Sequence, residues 1–186
     1  MKILSFPKMV ISSSEGWPEL AEIHPAIVKV FFYLVLPFAL LPPAMLYFAG
    51  GYYGDTIVQG YGSKPWGMIA VLFFFAEMAT FAVMGWLIKQ IADGHNVDID
   101  SHDAYMLAAI TPVPLWLSSL GLLVPSLVFN AVVSFLAMGA SCALIYRGIY
   151  ALCHMHEEVT AASITQIVIG AGLAAWAILL MLIVAI

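Results

Sequence analysis

Charge is what this sequence has least of. Only 9% of its residues are Asp, Glu, Lys or Arg, where a soluble domain carries about a quarter, so a water-facing globular fold is excluded. Bases are the scarcer sign, six Lys and Arg against eleven Asp and Glu. No basic patch forms, and nucleic acid is not expected as a partner. Cysteine is nearly absent too. Cys142 and Cys153 both fall on one hydrophobic segment, which is neither a disulfide framework nor a zinc pattern, and they read as packing residues. There is no H-E-x-x-H, no G-x-S-x-G and no P-loop, so no catalytic residue is assigned and no cofactor is expected. Met1–Ile11 is broken by Pro7 and Lys8 and lacks a continuous apolar run, so it does not read as a signal peptide.

What the chain has is length without charge. From Ala104 to Tyr146 it carries no Asp, Glu, Lys, Arg or His. As one helix that stretch would run roughly 64 Å, about twice a bilayer core. It should therefore fold as two spans, and Val124-Pro125-Ser126 at its middle predicts a tight hairpin, because a helix usually stops before a proline. Three more apolar segments stand beside it, Val28–Ala49, Trp66–Ile88 and Ile164–Ile186. The expectation is an all-α polytopic membrane protein of five transmembrane helices, residues 28–186, behind a short cytoplasmic segment, residues 1–27. Its first associate is the lipid bilayer.

Pro37, Pro42 and Pro43 should kink or split the first span, and Gly50-Gly51 should end it. Tyr52, Tyr53, Tyr61 and Trp66 stand where an aromatic belt is expected. Between Glu15 and His24 a short helix beginning at Pro18 would put Trp17, Leu20 and Ile23 on one face. That helix reads either as an interfacial anchor or as a polar lead-in. With the N-terminus inside, Lys2, Lys8, Lys29, Lys89 and Arg147 fall on the cytoplasmic side and Lys64 alone outside, which fits the positive-inside rule. The C-terminus would then be periplasmic, in a multi-pass protein of the cell inner membrane.

Three small-xxx-small pairs, Ala137/Ser141, Gly139/Ala143 and Gly170/Ala174, predict close helix packing. Gly170 to Ala175 spells the letters of a dinucleotide fingerprint, but inside an apolar span with no preceding strand it reads as packing.

Thr111–Pro125 reads TPVPLWLSSLGLLVP, and Tyr146-Arg147-Gly148-Ile149 with a polar turn holding Glu157 and Glu158 follows it. On these residues the chain resembles the Yip domain family, the Ypt/Rab-interacting membrane proteins, and is most similar to its bacterial inner-membrane branch, from about Pro25 onward. The resemblance implies five spans, a cytoplasmic N-terminus and no catalytic residues. Eukaryotic members bind small GTPases through a longer N-terminal region. Only about 25 residues stand in that place here, so GTPase binding is not carried over.

Two groups carry candidate chemistry. The loop 93–103 holds His95, His102 and Asp103, and the turn after the fourth span holds His154 and His156 beside Glu157 and Glu158, with Arg147 just before. Imidazoles and carboxylates are metal ligands, yet they follow no recognised spacing. Capping and solvation explain them better, with Asp100 or Ser101 capping the third span and Asp103 in its first turn, and no metal is expected. The other candidate is Glu77, at the middle of the second span. An ionisable group at that depth is a functional hypothesis. The plainer reading is a protonated side chain bonded to Thr80, to a carbonyl freed by a proline or to a neighbouring span. Ser118, Ser119, Ser134 and Ser141 are expected to bond helix to helix. The leading expectation is a protein acting by association, as a homo-oligomer or with a membrane-protein partner. The alternative is a small-solute or ion transporter using Glu77 and the His/Asp groups, and a polar cavity reaching Glu77 would favour it.

Overall fold

A computed structural model describes residues 16–152 and 158–186. Five helical segments are long and apolar enough to cross a bilayer: Ile27–Thr56, Trp66–Gly94, Ser101–Leu123, Leu127–Leu152 and Ala162–Ala185. They are called spans one to five below. No strand occurs among the described residues. His154 and His156 lie outside them.

Span three is the hub. In its most apolar window 44% is buried inside the protein, against 6% for span five. Ala104, Leu107, Ala108 and Ile110 enter one core cluster with Leu144, Ile149 and Ile164, and Ala109, Val113 and Trp116 enter a second with Val35 and Ala39. Small side chains let neighbouring helices approach here, and dispersion contacts rather than water exclusion hold helices together in lipid.

The hub is also the least regular span. Its helix Ser101–Ile110 breaks at Thr111-Pro112, resumes over Val113–Ser118 and tightens to a 3-10 turn over Ser119–Leu123. Pro112 and Pro114 have no N–H to offer the preceding turn. Such a break is tolerated at membrane depth only where protein surrounds it, and Thr111, Val113 and Trp116 are buried. Residues 124–126 then join span three to span four, and the two pack together.

Span one is broken as its prolines require, with a π-helical turn at Phe31–Val35 and an interruption at Leu40, just before Pro42 and Pro43. It runs past Gly50-Gly51 to a kink at Tyr53, where the angles are non-helical, and a further short helical stretch carries on to Ile57. Gly50 serves close packing instead: a Cβ there would lie 2.1 Å from the Trp66 ring. Trp66 is therefore buried, while Tyr52 faces outward at 82% exposure, so the expected aromatic belt is only partly outward-facing. At this end of the bundle Asp55 accepts the N–H of Gly60 and of Gly62 at 3.0 and 2.9 Å. Lys64 donates to the carbonyls of Ile183 and Val184 at 3.0 and 3.3 Å, a cation at a helix C-terminus where the dipole favours it.

At the other end the helix Trp17–Ile23 docks on the bundle. Trp17 is fully buried and Leu20 nearly so, both within the larger core cluster, while Ile23 is exposed. The tryptophan thus anchors the helix to protein, which replaces the interfacial reading. Its socket is Gly148, where a Cβ would come within 2.3 Å of Leu107 Cδ1 and 2.6 Å of Trp17 Cη2.

Candidate functional site

A cavity of about 410 Å³ opens between the spans, and all five contribute to its wall. Most of the wall is Leu, Ile, Met, Phe and Pro side chains. Glu77 of span two reaches it, 6% exposed. The irregular turn of span three brings the Trp116 indole beside the Glu77 carboxyl. Carboxyl oxygen Oε2 is buried with no hydrogen-bond partner among the described residues. Thr80 is not a partner, because its hydroxyl donates to the Ala76 carbonyl at 2.8 Å. A neighbouring span supplies the contact, and the residue is an indole that no pattern along the chain singles out.

The serines do not behave as expected. Ser118 and Ser119 donate to Leu115 and Trp116 carbonyls of their own span, at 2.7 and 2.6 Å. Ser141 of span four is 5% exposed, lines the cavity, and its hydroxyl has no partner among the described residues. Asn130 points its amide N–H groups at the carbonyls of Val124 and Ser126, both at 2.9 Å. None of the described lining residues is Lys, Arg or His, so Glu77 has no cationic partner there, and no histidine base stands by the serines.

The second group of candidates sits at the end carrying the helix Trp17–Ile23. His102 directs Nε2 at the Pro25 carbonyl, 2.9 Å, and Nδ1 at Asp103, 3.2 Å. His24, which sequence reasoning did not single out, brings its ring to 4.8 Å from that of His102. The ligand atoms of His24, His102 and Asp103 lie within 4.8 Å of one another. Through these contacts the group ties the segment after the first helix to span three. Asp103 stands in the first turn of span three, and Asp100 at its N-cap makes no side-chain capping bond. His95 does not join the group. It bonds the Ile91 carbonyl at 2.8 Å and Ser163 at 3.5 Å. Arg147 is half-buried beside the Gly148 socket and lines no part of the cavity.

The small-residue pairs divide. Ala137 and Ser141 are buried, but Gly139, Gly170 and Ala174 are exposed. A methyl built at Gly139 or Gly170 would meet nothing within 4 Å.

Compared with known proteins, residues 8–184 match a family model described as the Yip1 domain. No curated protein and no solved structure matches.

Proposed function

The chain belongs to the Yip1 domain family, and from that premise we propose that it works by association inside the membrane rather than by catalysis, with a second copy of itself as the first associate. One observation carries this reading. Span five presents Gly170 and Ala174 to the outside of the bundle, and nothing among the described residues packs on Gly170. Small residues four apart let a helix of another molecule approach closely, which is how apolar spans gain contact energy in lipid. A single stripe can meet its own copy across a two-fold axis. The test is disulfide cross-linking of Ala174→Cys in a background with Cys142 and Cys153 replaced by Ser. A cross-linked dimer is expected, and Gly170→Leu should abolish it. A monomer in lipid nanodiscs, without cross-linking, would overturn the reading and leave a different membrane protein as the partner to seek.

The proposed setting is the inner membrane with the N-terminus cytoplasmic. Lys29, Lys89 and Arg147 lie at the end of the bundle that carries the helix Trp17–Ile23, and Lys64 at the other, which supports positive-inside orientation. Cysteines placed at exposed Val58 and Asp98 report it. In intact cells an impermeant thiol reagent should reach Val58→Cys and spare Asp98→Cys, and the opposite pattern would reverse the orientation.

A second reading, handling of a small solute, is favoured by the cavity reaching Glu77. His24, His102 and Asp103 line no part of that cavity, and His102 is engaged in holding the N-terminal segment.

A further inference from the structure

The cavity wall carries one carboxyl and no Lys, Arg or His among the described residues, and several of its hydroxyl protons are already committed. Thr80, Ser118 and Ser119 line it, and each gives its hydroxyl proton to a backbone carbonyl. Their oxygens keep lone pairs, but their protons are committed. Asn130 has both its bonds from Nδ2 to carbonyls, and the Trp116 indole stands beside Glu77. Against this stand two deeply buried groups on the wall with unmet bonding capacity, Glu77 Oε2 and Ser141 Oγ. A buried polar atom without a partner is costly, and two on one wall mark a place where a ligand supplies what the protein does not.

The chemistry of that ligand follows by elimination. Anions are disfavoured, because the lining holds one carboxyl and no Lys, Arg or His among the described residues. A hard metal ion wants about six oxygen ligands in a cage, and here one carboxylate stands in an apolar wall. A sugar or other polyol would leave most of its hydroxyls facing hydrocarbon. An ammonium on an apolar body meets every condition. Its N–H groups donate to Glu77 Oε2 and Ser141 Oγ, its charge is balanced by the Glu77 carboxylate, and the Trp116 and Trp176 rings on the wall suit a cation over an aromatic face. The volume, about 410 Å³, lies in the range of sites for drug-sized molecules.

We propose that the cavity between the five spans is a binding site for a lipophilic ammonium compound, with Glu77 as its counter-ion and Ser141 as a second acceptor. This names the solute class for the small-solute reading and rests on that reading only in taking the cavity as a solute site.

The test uses full-length protein in phosphatidylcholine nanodiscs and dansylcadaverine, a fluorescent lipophilic primary ammonium. Dansyl emission sensitised by tryptophan reports binding. Saturable binding is expected, with dansylamide, the neutral analogue, at least about tenfold weaker. Glu77→Gln keeps an oxygen for the Trp116 indole and should fold, yet lose about tenfold or more in affinity for the ammonium probe and little for the neutral one. Gly172→Leu fills the cavity from a lining position with open space around its Cβ, and should weaken both probes with Glu77 intact. Equal affinity for charged and neutral probes, or no saturable binding to wild-type protein, overturns the proposal, and neither result depends on any variant folding. Uptake of the same probe into proteoliposomes is measured separately. Binding without uptake would sink transport and leave the site standing.

Discussion

Trp17→Ala is expected to release the N-terminal helix from the bundle. The side chain is fully buried against Gly148 and Leu107, and truncating a buried tryptophan costs about 3–5 kcal/mol. Residues Trp17–Ile23 have no other large buried side chain than Leu20 among those described, so most of that loss falls on local docking rather than on the spans. Amide hydrogen exchange over residues 17–23 should accelerate by a hundredfold or more, on the order of the 3 kcal/mol lost, while exchange in span three stays slow. Gly148→Leu should do the same from the other side, because its Cβ alone would overlap the Trp17 ring and Leu107, a rigid ring and a core residue that have little room to give. Unchanged protection over 17–23 in both variants would show that the helix is held by something other than this socket.

Glu77→Leu is expected to destabilise the bundle, and Glu77→Gln is not. Leucine removes the carboxyl that stands beside the Trp116 indole, and losing such a polar contact between spans costs about 0.5–2 kcal/mol. Glutamine offers the same oxygen at nearly the same place. Thermal unfolding in detergent should therefore rank wild type and Glu77→Gln together and Glu77→Leu below them. A Gln variant as unstable as the Leu variant would mean that the carboxyl makes a bond an amide cannot reproduce. A Gln variant that folds but loses a proton-coupled flux in vesicles would instead make Glu77 a proton carrier, since an amide cannot cycle a proton.

The five spans follow from the chain alone. With so few charges, the surviving ones mark the helix ends, and lipid forces every backbone group between them into internal hydrogen bonds. The breaks at Pro37, Pro42 and Pro112 are equally local, because a proline lacks the N–H wherever it stands. The depth of Glu77 is likewise read from its distance to the nearest polar ends. Gly50 shows where this logic stops. Two glycines look like a helix terminus, but Trp66 sixteen positions on lies over Gly50, and the break falls at Tyr53 instead.

Tertiary structure alone decided which faces meet. In a soluble helix the polar side announces the buried one by its period. Here lipid-facing and protein-facing sides are both apolar, so the period is blank. Nothing along the chain tells that Gly148 receives Trp17, that Trp116 meets Glu77, that the His24 ring lies beside that of His102, or that Gly170 faces outward while Ser141 is buried. The cavity is of the same kind. Its two unpartnered buried groups, Glu77 Oε2 and Ser141 Oγ, come from different spans, an arrangement that exists only once five helices have been brought side by side.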